Sequence, residues 1–136
     1  MPAAQVLDSY ALLKFLRGEQ GADTVAHILE KAGERDDPVH MTEVNYAEVQ
    51  YITRRKDGDA AWQTIAGELV AAPIQFHTAD RSLADSAAEF KTRFKMSLAD
   101  AFAAALAKQK DAYLVTGDRE FKSLEKEIKI TWLRPR

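Results

Sequence analysis

The chain has 136 residues, 46% of them hydrophobic, no cysteine and a formal net charge of −2. A chain of this length makes one domain that buries roughly two-thirds of its unfolded surface, so it can hold a core of its own. The composition excludes a disulfide framework and a thiolate metal site, offers no stretch near the ~20 apolar residues of a membrane span, and lacks the positive balance of a general nucleic-acid coat. The opening Met1-Pro2-Ala3-Ala4-Gln5 has neither the basic segment nor the apolar core of a secretion signal, which suits a cytoplasmic protein.

Gln5-Val6-Leu7 is a short apolar run ending at Asp8 and reads as a strand; Ser9 then caps a helix over Tyr10 to Arg17 that stops at Gly18. Ala22 to Lys31 places Val25, Ile28 and Leu29 on one helical face, and the polar stretch Gly33 to Pro38 reads as a loop. Val39-His40-Met41 is a second strand, with Thr42 as the cap of a helix from Glu43 to Arg55. In that helix Val44, Ala47, Glu48, Tyr51 and Ile52 fall at helical spacing, so its apolar face includes one acid. The turn Asp57-Gly58-Asp59 leads into a helix from Ala60 to Val70 carrying Trp62, Ile65 and Leu69. Pro73 to His77 is a third strand, and Thr78 caps a helix from Ala79 to Phe94.

Ser97 opens a helix so rich in Ala, Leu and Phe that no wide polar face remains, which predicts burial on most sides. Ala112 to Val115 is a fourth strand leaving through Thr116-Gly117-Asp118, Glu120-Phe121-Lys122 begins a short helical turn, and Ile128 to Leu133 is the last strand. The tryptophans and phenylalanines fall at core spacing and read as packing, not as a platform for bases. His77 has no second His or Cys at metal-ligand spacing. Alternating strands and helices imply a mostly parallel sheet covered on both faces, with functional groups beyond the carboxyl ends of the strands.

Four acids stand out against this frame. Asp8 and Asp118 end strands, Glu48 lies on an inward helical face, and Asp100 is the only ionisable residue between Lys95 and Lys108. Each has a purely structural account: Asp8 and Asp118 as turn or cap residues, Asp100 as the partner of Ser97 in a capping box, and Glu48 as half of an inward ion pair. Gathered at one sheet edge, four carboxylates repel one another unless some are protonated or a cation neutralises them, and an all-oxygen set suits Mg²⁺ or Mn²⁺. With no Gly-rich phosphate loop, no Ser-His-Asp arrangement and no cysteine nucleophile, metal-assisted phosphoryl-ester hydrolysis is the most natural chemistry.

Val6-Leu7-Asp8-Ser9, Glu43-Val44-Asn45-Tyr46-Ala47-Glu48, Ser97 through Ala107, and Val115-Thr116-Gly117-Asp118-Arg119-Glu120-Phe121 together resemble PIN-domain proteins, nearest the VapC-type toxins of toxin–antitoxin pairs. The resemblance implies a single PIN-like three-layer α/β/α domain over residues 1–136, with a mostly parallel central sheet of about five strands. It further implies an Mg²⁺- or Mn²⁺-dependent endoribonuclease with Asp8, Glu48, Asp100 and Asp118 as its acidic site, Ser9 and Thr116 in support, a cognate antitoxin as partner, and a homodimer. Tyr10 departs from the family pattern, which has a second small polar residue after the first aspartate.

On that reading Asp8, Asp100 and Asp118 hold a primary ion, and Glu48 holds a second ion or orients the attacking water at an RNA phosphodiester. Lys14, Arg17, Arg81 and Arg119 are candidates for the flanking phosphates. A phospho-receiver domain would need its acceptor at the end of the third strand, where this chain has Phe76-His77-Thr78. A DNA-directed nuclease of related fold and a PIN-like binding module without activity are the alternatives, and the four filled acidic positions count against the second.

Overall fold

The computed structural model describes residues 3–133. Its strands are β1 (Gln5–Leu7), β2 (Val39–Thr42), β3 (Ile74–His77), β4 (Tyr113–Thr116) and β5 (Lys129–Trp132). They form one sheet in the order β3-β2-β1-β4-β5, and every neighbouring pair is parallel. Because successive side chains leave a strand on opposite faces, Val6 and Leu114 enter one core while Leu7 and Val115 enter another. A parallel sheet needs that double cover, since each crossover lays a helix on one of its faces.

The first face is covered by α5 (Arg81–Arg93), α6 (Leu98–Lys110) and the 3₁₀ helix Arg119–Leu124, through Leu83, Ala87, Phe90, Leu106 and Leu124. The second is covered by α1 (Ser9–Arg17), α2 (Ala22–Arg35), α3 (Glu43–Asp57) and α4 (Asp59–Ala71), through Leu12, Val25, Leu29, Val49, Trp62 and Leu69. As the Ala-rich sequence requires, α6 is buried at every position from Ala101 to Ala107. No helix among the described residues is long and apolar enough to cross a membrane.

The differences from sequence expectation lie at element ends and faces. α2 runs one turn further, through Arg35, with Asp36 at φ 50° closing it, because Ala32 still buries against the core and Gly33 is tolerated inside the helix. α1 begins at Ser9, with Asp8 and not Ser9 as its cap. α5 begins at Arg81, capped by Asp80 and not Thr78. The buried face of α3 is Asn45, Val49 and Thr53; Ala47 and Tyr51 are exposed, so a polar pair at i and i+8 defines the inner stripe that apolar spacing had placed elsewhere. The β2–β3 register also gives His77 a partner, with His40 Nδ1 and His77 Nε2 2.8 Å apart. Burial lowers the pKa of both rings.

The strand order carries the functional consequence. β1, β2 and β3 step outward to one side, after which the chain returns and inserts β4 on the other side of β1, in the register Leu7↔Val115. The gap beyond β1 and β4 is the switch point of the sheet, where no crossover covers the strand ends.

Candidate active site

Asp8 leaves β1 at this switch point and caps α1, its Oδ1 accepting from the Ala11 amide at 2.7 Å. The residue is 1% exposed, and its second oxygen, Oδ2, is buried without a hydrogen-bond partner. Asp118 follows β4 and caps the 3₁₀ helix, accepting from the Glu120 amide at 3.0 Å. Asp100 arrives from the first turn of α6, where Ser97 Oγ accepts from its amide at 3.1 Å. That bond is the serine half of the expected capping box, and it leaves the Asp100 carboxylate directed at other acids. One carboxylate oxygen each from Asp100, Asp118 and Glu120 lie within 4.8 Å of one another.

The electrostatics join the remaining acids to this group. Burial raises the Asp8 pKa to about 7; the Thr116 hydroxyl and the Ala11 amide oppose the shift, and the charges of Asp100 and Asp118 add to it. Burial also raises Asp100 to about 6, reinforced by Asp118 and then by Glu48 and Glu120, with Ser97 opposing. Glu48, half-buried on α3, is therefore close enough to act on Asp100. No described ion pair uses Asp8, Glu48, Asp100, Asp118 or Glu120. A buried carboxylate oxygen without a donor is costly, and so is a set of facing carboxylates. An oxygen-preferring divalent cation relieves both, so these residues fit Mg²⁺ or Mn²⁺.

The polar residues around the acids fix their positions. Asn45 ties three helix starts together: its Nδ2 donates to Ser9 Oγ at 3.0 Å and to the Ala99 carbonyl at 3.2 Å, its amide donates to Thr42 Oγ1 at 2.9 Å, and its carbonyl accepts from Ser9 Oγ at 3.2 Å. Ser9 is thus occupied by Asn45 and braces α1 against α3. Thr116, fully buried, accepts from the Asp118 amide at 3.0 Å and turns the chain out of β4. Asn45 and Glu120 are site residues to which sequence reading gave no role. A buried asparagine one turn before Glu48, and an acid two residues beyond Asp118, were the available signals.

The four candidate phosphate-binding cations separate. Arg119 lies between Asp118 and Glu120 and lines a cavity beside them, together with Lys122. Lys14 pairs with Glu19 at 3.4 Å and lies 5.1 Å from the Tyr10 ring centre, near the same cavity. Arg17 pairs with Asp57 at 2.9 Å, at the far end of α1. Arg81 starts α5 beyond the β3 edge, two strands from β1.

A three-layer parallel α/β domain with an uncompensated acid cluster at its switch point belongs to a narrow class of folds, and comparison with known proteins identifies which. The chain belongs to the PIN-domain family, whose model matches residues 6–127. Similar solved structures include a toxin–antitoxin complex from Klebsiella pneumoniae, 16% identical over 98% of this chain and 100% of that one, with a TM-score of 0.71. VapBC2 from Rickettsia felis, bound to a DNA fragment from its promoter, is 12% identical over 96% and 99% of the two chains, with a TM-score of 0.75. VapC20 from Mycobacterium tuberculosis, a sarcin-ricin loop cleaving toxin, is 17% identical over 88% and 94%, with a TM-score of 0.64. No curated protein matches the sequence.

Proposed function

We propose that the protein is an Mg²⁺- or Mn²⁺-dependent endoribonuclease and the toxin of a toxin–antitoxin pair. The observation that carries this reading is the buried Oδ2 of Asp8, which has no hydrogen-bond partner, on a carboxylate that feels the charges of Asp100 and Asp118, acids that group with Glu120 and enter no described ion pair. The similar toxin–antitoxin complexes, and the sarcin-ricin loop cleaving toxin, support it by fold.

Asp8, Asp100 and Asp118 would hold the ion, with Glu48 and Glu120 at its margin; the bound ion would supply Lewis-acid stabilisation of the charge that builds on a phosphodiester during hydrolysis. The chain's own contribution is preorganisation. The Ala11 and Glu120 amides orient Asp8 and Asp118, while Asn45 locks the starts of α1, α3 and α6 so that carboxylates from distant segments keep one geometry. Glu48, half-buried and unpaired, is suited to accept a proton from the attacking water. Arg119 is suited to hold a neighbouring phosphate. The same carboxylates suit an arginine from an antitoxin, since guanidinium pairs bidentately with carboxylate. A homodimer in the cytoplasm completes the reading, and light scattering at micromolar concentration should find it.

The deciding experiment incubates the purified protein with total RNA, and separately with duplex DNA, in Mn²⁺ and in EDTA, and maps the cut ends. RNA cleavage that vanishes in EDTA is the expected result; undiminished cleavage in excess chelator, or cleavage of DNA alone, overturns the proposal. Expressed alone, the wild type should arrest growth, whereas Glu48→Ala and Asp118→Asn should not.

A further inference from the structure

The departure at Tyr10 marks a second feature of the site. Tyr10 stands two residues after Asp8 on the first turn of α1, is 38% exposed, and lays its ring on Gly117. The fit depends on glycine: a Cβ at position 117 would stand 2.5 Å from Tyr10 Cε1. Beyond the ring opens a cavity of about 690 Å³ that shares Asp118 with the acid cluster and is otherwise walled by Arg119, Lys122, Glu125, Trp132 and Leu133. The half-buried Trp132 indole is held by its Nε1, which donates to Glu125 at 2.9 Å. Two aromatic rings and two cations therefore line one cavity beside Asp118, with Glu125 engaged by the indole and the Lys14 ammonium 5.1 Å from the Tyr10 ring centre.

We infer that this cavity is a nucleoside subsite, in which the base next to the scissile phosphate stacks on Tyr10 and its own phosphate is held by Arg119 and Lys122. The inference rests on the nuclease reading for the identity of the ligand. Its support is the chemistry of the walls: aromatic faces take any unstacked base, and adjacent cations take the backbone. The Asp118 carboxylate at the boundary sets the order of the two sites, with reacting phosphate at the acids and flanking base at Tyr10. A base extruded from single-stranded RNA can reach this cavity, and one paired in a duplex cannot, so the subsite selects unpaired RNA.

Adenosine 5′-monophosphate and ribose 5-phosphate, which differ only by the base, are the probes. Their dissociation constants in Mg²⁺ should be measured by chemical-shift titration on wild type, Tyr10→Ala and Tyr10→Phe. The wild type should prefer the nucleotide by on the order of tenfold or more, the effect of one stacked base. Tyr10→Ala should lose that preference while binding ribose 5-phosphate as before, and Tyr10→Phe should keep it. Equal affinities for the two probes in wild type, or an undiminished preference in Tyr10→Ala, overturns the subsite. The melting shift caused by Mn²⁺ alone, which involves no aromatic ligand, reads the acid cluster separately. Its absence would sink the nuclease reading while leaving the base preference to be scored.

Discussion

Asp8 and Asp80 are the same local device in two places. Each follows a strand and caps a helix, with φ, ψ of −86°, 177° and −78°, 178°, and each accepts the amide three residues on, at 2.7 and 2.9 Å. Their surroundings differ completely. Asp80 follows the edge strand β3 and is exposed; Asp8 follows the central strand β1, is buried, and has its pKa raised to about 7 by that burial. Capping therefore accounts for the geometry of both residues and for the chemistry of neither. What makes one of them a ligand candidate is the place of its strand in the sheet order.

The largest expected difference between the two is in catalysis. Asp8→Asn keeps a cap oxygen and removes a charge, so RNA cleavage should fall by about a hundredfold or more with the fold intact. Asp80→Asn should cleave like wild type. Initial rates in Mn²⁺ decide the matter, and equal rates for the two variants would reduce Asp8 to a cap. Asp100→Asn should behave like Asp8→Asn, since Ser97 and not its own carboxylate caps α6.

A second contrast is in how pH couples to metal. Asp8 and Asp100 have folded pKa values of about 7 and about 6, raised from 3.8, so between these limits the folded chain holds protons that the unfolded chain has released. Their contribution to metal-free stability is complete below about pH 3.8 and is lost as pH rises through about 6 and then 7. A cation must displace those protons, so the melting shift caused by Mn²⁺ should be small near pH 5 and grow toward pH 8. At a hundred times its Kd, a ligand that binds only the folded state stabilises by about 2.7 kcal/mol. A shift that does not vary with pH would detach these two groups from the ion, and Asp80→Asn should leave the pH dependence unaltered.

The frame beneath Asp8 offers a third test. Asn45→Ala removes three side-chain hydrogen bonds, with Ser9 Oγ, the Ala99 carbonyl and Thr42 Oγ1, and strands buried polar groups, so urea denaturation should show a loss of about 2 kcal/mol. Cleavage should also fall, because α1, α3 and α6 lose their common tie. The smallest effect belongs to the comparison's outer member: Asp80→Ala should cost about 1 kcal/mol in the same experiment and nothing in cleavage. A loss for Asp80→Ala as large as that for Asn45→Ala would mean that the β3 edge is more tightly coupled to the core than its exposure indicates.

This pairing also explains which parts of the molecule can be read from sequence. The elements among the described residues follow from apolar spacing and punctuation, because Gly18, Thr42, Gly58 and Ser97 act within a few residues of themselves. Asp8 and Asp118 stand out as strand-end acids for the same reason. The polar stripe of α3 was hidden because Asn45 and Thr53 bury by virtue of partners on other segments, Ser9 and Ala99 in the case of Asn45. Glu120 was hidden because its closeness to Asp100 depends on how the 3₁₀ helix leaves β4. Arg17 and Arg81 looked as suitable as Arg119, since charge alone does not reveal that Asp57 engages one and that the sheet edge carries the other away.

Strand order also governs when the site can exist. β1 leaves the ribosome first, yet one of its two edges waits for β4, roughly a hundred residues and several seconds of synthesis later. Until then Asp8 and Glu48 have no Asp100 or Asp118 to face, and the free edge of β1 is open to non-native pairing. A chain stalled before β4 therefore carries an open β1 edge and an unassembled acid cluster at once.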